Sequence, residues 1–265
     1  MRIGIAGVGG RMGRLLVQVV AAREDATLAG GTVRPGGRVG ADLGLLAGIG
    51  ECGITATDQP EAMFQTADVV IDFTNPAALA THLDLAARHR TALVIGTSGL
   101  SLEQERAIAE RSRSVPIVYA ANFSSGVTLM LALVRRAAEA LGPDYDIEIV
   151  EMHHRQKIDA PSGTAIALGR AAAAGRGITL EENMESGRHG HTGRRRDGAI
   201  GFAALRGGQV VGEHTVIFAG ATEHLTIGHR SFDRRVYAEG AVRAALWLAG
   251  RPAGLYGMED VLGLR

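Results

Sequence analysis

Apolar residues recur in two rhythms along this 265-residue chain. Through roughly the first 120 residues, short apolar runs alternate with stretches of helical period. Arg2-Ile3-Gly4-Ile5-Ala6 is the first run; Gly7-Val8-Gly9-Gly10-Arg11-Met12-Gly13 interrupts it, and Leu15, Leu16, Val19 and Val20 then fall on one helical face. Thr27 to Val33 reads as a second strand, and Ala67 to Phe73 as a buried one, followed by a helix carrying Leu79, Leu83 and Ala86. Thr91 to Ile95 is another strand, ending at Gly96-Thr97-Ser98-Gly99; Ser101 with Glu103 and Gln104 opens a helix, and Val115 to Tyr119 closes the series. Strands alternating with helices predict an α/β domain on a doubly wound parallel sheet of the Rossmann type.

The rhythm changes after a helical stretch near 126–141. Tyr145 to Met152, Ile200 to Leu205, Gln209 to Phe218 and Glu223 to His229 are strand-like runs with glycine turns, which predicts a second, α+β domain on a mostly antiparallel sheet. Gly187 to Gly198 is polar and glycine-punctuated, hence a loop, and the last stretch returns to an Ala-rich helix with Val242, Leu246 and Trp247 on its apolar face. The expected division is 1–124 as a dinucleotide-binding domain, 125–234 for substrate and assembly, and 235–265 returning to the first.

Composition narrows the function. Lys+Arg and Asp+Glu are both 28, a balance that argues against nucleic acid or an anionic membrane as partner. No apolar run has the length of a membrane helix, the N-terminus resembles no signal peptide, and the single cysteine, Cys52, fits a reducing compartment, so a cytoplasmic location is expected. Of the 28 basic residues only Lys157 is lysine, which marks it as a position where arginine does not serve. Arginine holds a carboxylate through its fork but does not give up a proton.

Two segments carry chemistry. The turn at Gly7, Gly10 and Gly13 lets backbone N–H groups and a helix N-terminus approach a pyrophosphate, though Met12 stands where the usual G-x-G-x-x-G has glycine. The acid that usually grips the ribose is missing after the second strand; Arg34 and Arg38 stand there instead, and cations suit a 2′-phosphate. The second segment, Glu151 to Thr164, places His153, His154, Arg155 and Lys157 within five residues, ahead of a helix that Pro161 and Ser162 introduce. Gly163 and Thr164 in its first turn can hold a carboxylate, so the cluster reads as an anionic-substrate pocket with proton donors attached. Metal binding is not expected: no H-E-x-x-H or paired-cysteine spacing occurs, and His189 and His191 lie in an Arg-rich loop. Ser98 and Ser124 lie in no G-x-S-x-G elbow, and Cys52 lacks a nearby base.

The run Glu-Met-His-His-Arg-Gln-Lys-Ile-Asp-Ala-Pro-Ser-Gly-Thr-Ala at 151–165 resembles the signature of the 4-hydroxy-tetrahydrodipicolinate (dihydrodipicolinate) reductases. Gly-Gly-Arg-Met-Gly at 9–13, Asp-Phe-Thr at 72–74, Gly-Thr-Ser-Gly at 96–99, Ala-Asn-Phe-Ser at 121–124 and Gly-Glu-His-Thr at 212–215 follow in that family's order. The resemblance implies an NAD(P)H-dependent reductase of diaminopimelate and lysine biosynthesis, a homotetramer acting on a small dicarboxylate. It implies His153 as catalytic acid/base, Lys157 as proton donor, and His154, Gly163 and Thr164 as substrate contacts. It places the nucleotide against Gly7, Val8, Gly9, Gly10, Arg11 and Met12, against Arg34, against Gly96, Thr97 and Ser98, and against Ala120, Ala121, Asn122 and Phe123. Val33 stands where some members carry an acid for NADH, so NADPH is the expected preference over NADH. His189 and the Arg230–Arg234 run also depart from the family pattern. Two rival readings are another Rossmann-type amino-acid or sugar dehydrogenase, which has no need of the 153–164 cluster, and a non-catalytic nucleotide sensor.

Overall fold

The parallel sheet expected of the N-terminal half is present and is wider than the apolar pattern foretells. A computed structural model describes residues 1–264. Its N-terminal elements are β1 (Arg2–Ala6), α1 (Arg11–Ala21), β2 (Thr27–Thr32), α2 (Leu43–Ala47), β3 (Ala56–Thr57), α3 (Pro60–Thr66), β4 (Val69–Asp72), α4 (Leu79–His89), β5 (Ala92–Ile95), α5 (Leu102–Arg111) and β6 (Pro116–Tyr119). There follow α6 (Ser125–Leu141), β7 (Asp146–His153), α7 (Gly163–Gly175), α8 (Leu180–Asn183), β8 (Met184–Ser186), β9 (Ile200–Arg206), β10 (Gly212–Ala219) and β11 (His224–Ser231). The chain closes with α9 (Arg235–Trp247), β12 (Gly254–Tyr256) and α10 (Met258–Leu262). Two units result: Met1–Ser125 with the segment from Arg235 onward, and Gly126–Arg234.

In the first unit seven strands run in the order β12-β6-β5-β4-β1-β2-β3, all pairings parallel. Strands buried on both faces need no polar alternation, which is why Val69-Val70-Ile71 and Ala92-Leu93-Val94-Ile95 read as continuous apolar runs. β3 and β12, only two and three residues long, are too short to show a period and went unpredicted. The reversal of strand order between β1 and β4 opens a crevice at the carboxyl ends of these strands, where such sheets bind ligands. α1 packs close to β1 because residue 13 lacks a side chain; a Cβ there would overlap the carbonyl of Gly7, itself in the left-handed region at φ +79.

α9 buries Ala238, Gly240, Ala241, Val242, Ala244 and Ala245 against this unit. The expected apolar face is present, with Val242 in the core and Leu246 and Trp247 half-buried against it, and small residues extend it, since a Cβ at Gly240 would strike the Phe123 carbonyl.

The second unit holds a five-stranded sheet in the order β11-β10-β7-β9-β8. β10 pairs antiparallel with both β7 and β11, but β7–β9 and β8–β9 are parallel, so the sheet is mixed rather than mostly antiparallel. The chain leaves β7 through α7 and a long excursion before β9, and such a crossover returns a strand in the same direction. Ile147, Ile149, Phe202, Val216 and Phe218 face a core completed by Met130 and Val134 of α6 and by Ala165, Leu168 and Ala172 of α7. Among the described residues no helix is long and apolar enough to cross a membrane.

Candidate functional site

The crevice of the first unit is a cavity of about 810 Å³ lined by Gly7, Gly9 and Gly10 of the glycine turn, by Phe73, Thr74 and Asn75 beyond β4, and by Arg14, Arg34, Arg38 and Asp58. No acid stands in the first turn of α1, so its free N–H groups oppose no anion. Three arginines against one aspartate, with a side-chain-free turn between them, fit the phosphates of a dinucleotide. Val33, 8% exposed, lines the cavity as well and brings no carboxylate to it, which leaves Asp58 as the acid of the lining.

Of the sequence-predicted nucleotide contacts, Gly7, Gly9, Gly10 and Arg34 line this cavity; Val8 is fully buried beneath it, and Arg11 and Met12 open α1 outside the lining. Gly96, Thr97 and Ser98 follow β5, and Ala120, Ala121, Asn122 and Phe123 follow β6, at the same carboxyl edge of the sheet but outside the cavity lining. A Cβ at Gly96 would run into the Phe73 ring, and Phe73 in turn packs on Phe123 with centroids 5.3 Å apart.

Beneath the turn after β4 lies a buried pair that sequence reasoning missed. Asp72 accepts from the Thr74 N–H at 2.8 Å and hydroxyl at 2.6 Å, and its other oxygen is 2.7 Å from His82 Nδ1. Burial alone would raise this carboxyl; His82 and the Thr74 donors overcome it and hold Asp72 below the usual carboxylate range. The signal was a lone acid closing the apolar run Val69-Val70-Ile71.

The second unit gathers the histidine cluster at the carboxyl end of β7. Alternation along that strand sends Ile147, Ile149, Glu151 and His153 inward, so a carboxylate and an imidazole end an otherwise apolar face. Glu151, 1% exposed, accepts two hydrogen bonds from Arg206, each at 2.8 Å, and one from the Ser162 N–H at 3.1 Å. His153 Nδ1 lies 2.6 Å from Glu151 Oε2. Burial works against the Glu151 charge, yet Arg206 and His153 bring its carboxyl below the ordinary value.

Ser162 caps α7: its Oγ accepts from the Ala165 N–H at 3.2 Å and meets His214 Nε2 at 3.1 Å. Gly163 follows, exposed and with open space where a side chain would stand, and Thr164 completes the first turn. His154 is half-buried, and its Nδ1 has no hydrogen-bond partner. Lys157 lies in the loop between β7 and α7, with Nζ 2.8 Å from Asp159 Oδ1. His153 and His214 meet edge to face at 5.1 Å, and His214 also feels the Lys157 charge. The structure thus assembles His153, Lys157 and the capped start of α7 in one unit. Glu151, Arg206, Ser162 and His214 belong to the same assembly and were not assigned from sequence. Among the described residues no group of three or more His, Cys, Asp or Glu could hold a metal ion.

Burial, and then the His153 charge, push His214 down to about 4. The unfolded chain therefore binds a proton at this residue between pH 6.5 and about 4 that the folded chain does not, so its contribution is complete above 6.5 and lost as pH falls toward 4. That contribution is at most about 3 kcal/mol. The lowered carboxyls of Glu151 and Asp72 act in a lower window: their stabilisation stands above the unfolded carboxylate values and is lost as pH falls through the folded ones. Urea unfolding of the wild type should show a clear loss of stability between pH 7 and pH 4.5, and His214→Gln should flatten it; parallel profiles would contradict the assignment.

Comparison with known proteins places these features. Residues 1–123 match the family model described as dihydrodipicolinate reductase, N-terminus, and residues 126–262 the one described as its C-terminus. The 4-hydroxy-tetrahydrodipicolinate reductase of Granulibacter bethesdensis is 56% identical over all of this chain and 98% of its own length. That of Brucella abortus is 50% identical over all of this chain and 99% of its own. Among solved structures, the dipicolinate-bound dihydrodipicolinate reductase from Paenisporosarcina superposes with a TM-score of 0.77 at 26% identity, each chain 98% covered. An amine dehydrogenase from Mycobacterium smegmatis, at TM-score 0.61 and 14% identity over 98% of this chain and 95% of its own, shares the fold. With both halves matched by their own family models and whole-length relatives at such identity, the chain belongs to the dihydrodipicolinate reductase family.

Proposed function

We propose that the chain reduces 4-hydroxy-tetrahydrodipicolinate to tetrahydrodipicolinate, releasing water, in diaminopimelate and lysine biosynthesis, with NADPH preferred to NADH and no metal. The observation that carries this reading is the His153–Lys157 cluster beside the capped start of α7, in a chain whose whole-length relatives bear that reductase name. Substrate-dependent oxidation of NADPH is the test.

A reduced nicotinamide supplies the hydride. Backbone N–H groups at Gly163 and Thr164, the Thr164 hydroxyl and His154 hold the substrate's carboxylates, since free donors at a helix start favour an anion. Lys157 delivers the proton and His153 serves as acid/base. Fixing the reactants in line contributes ~7–11 kcal/mol of the barrier reduction, and a placed proton donor adds ~10²–10⁴-fold.

The nucleotide preference rests on Arg34 and Arg38 lining the cavity, where Val33 stands in place of an acid. One charge-assisted bond to a 2′-phosphate favours NADPH by about 1–3 kcal/mol. Arg34→Ala should remove most of that preference; equal KM values for the two nucleotides in the unmutated protein would refute it.

The outer face of the second sheet supports a homotetramer. Val150 pairs with Thr215 and lies beside Ala203, all on the face away from α6 and α7, with Leu205 51% exposed on the same face. Light scattering should find a fourfold mass, and an active monomer at micromolar concentration would contradict it. A cytoplasmic location and a small dicarboxylate substrate, with no nucleic acid or membrane as partner, complete the reading.

A further inference from the structure

We propose that Glu151 is a positioning residue that keeps the proton of neutral His153 on Nδ1, so that Nε2 is the nitrogen left to exchange a proton. The inference rests on the reading of His153 as acid/base and adds a residue to it. Four observations carry it. Glu151 is buried, and its Oε2 sits 2.6 Å from His153 Nδ1. Arg206 grips both carboxylate oxygens, which keeps the group in place and acceptor-only. The Ser162 N–H, at the entry to α7, fixes the Oε1 side. His153 Nε2 faces Gly212, where a side chain's first carbon would stand 3.0 Å away, so residue 212 leaves that nitrogen uncovered.

An acceptor-only group at Nδ1 dictates the tautomer, because the imidazole must then donate from Nδ1. Were Glu151 only the partner of Arg206, His153 would be free to hold its proton on either nitrogen.

Glu151→Gln separates the two roles. Oε1 meets two groups that can only donate, Arg206 Nη2 and the Ser162 N–H, whereas Oε2 meets one such group, Arg206 Nη1, beside a ring nitrogen that can also accept. The amide oxygen therefore takes the Oε1 place and the amide nitrogen faces His153. The amide then donates to Nδ1, and the ring proton moves to Nε2. Long-range nitrogen–proton NMR of histidine-labelled protein reads this directly, the His153 signals being assigned by their loss in His153→Gln. Expected are the Nδ1–H form in the wild type, the Nε2–H form in Glu151→Gln, and a kcat lower by at least tenfold with KM changed less than threefold. An Nε2–H form in the wild type overturns the proposal, and does so even if the variant fails to fold. An unchanged tautomer in the variant, or a changed one with full kcat, overturns it as well. The tautomer is read without substrate, so failure of the proposed reaction would appear separately, as absent turnover in the wild type.

Discussion

Lys157→Arg is expected to lower kcat by ~10²-fold or more while nucleotide binding stays unchanged, the loss that follows removal of a general acid. The substitution preserves charge and reach. Arginine would pair with Asp159, now 2.8 Å from Nζ, and would hold a substrate carboxylate through two parallel bonds. It would not release a proton, because the guanidinium remains charged at any working pH. A chain that uses arginine at 27 of 28 basic positions yet keeps lysine here points to the same requirement. Steady-state rates with saturating NADPH, together with nucleotide titration, separate the roles. Retention of more than roughly a tenth of kcat would make Lys157 a carboxylate anchor and nothing more.

His153→Gln should act on the same step, with a loss of similar size. Glutamine keeps a polar group near Glu151 and leaves the Glu151–Arg206 pair intact, so the fold should survive. It removes the ring that ends β7 against Glu151, the one read here as the acid/base. If His153 and Lys157 work on one proton transfer, the double variant should lose far less than the product of the single losses. Multiplicative losses would place the two residues in separate steps.

Much of this assembly was legible in the chain. The glycine turn, the parallel alternation and the start of α7 after Pro161 and Ser162 each depend on neighbours in sequence, and local pattern carries them. What escaped depends on distant partners. Nothing near Glu151 announces Arg206, 55 residues on, and Asp72 gives no notice of His82 across an intervening turn. A charged residue at an inward position of an apolar strand was the available signal in both cases, because burial of a carboxylate requires compensation. The mixed second sheet was misread for a related reason. Periodicity marks β7 and β9 as strands but is silent on their relative direction, which the long α7 crossover sets. β3 and β12 are held by their neighbours in the sheet rather than by their own composition.

One assay tests directly whether a chain with this nucleotide cavity carries out the proposed reduction. The protein is supplied with NADPH and with the fresh product of dihydrodipicolinate synthase, and nucleotide oxidation is followed with and without that product. The expected result is oxidation that depends on the synthase product, consumes one NADPH for each molecule formed, and falls by ~10²-fold or more in Lys157→Arg. Nucleotide binding with no product-dependent oxidation would make the chain a sensor, and oxidation driven instead by an amino acid or a sugar would make it a different dehydrogenase; either result would contradict the proposed reaction.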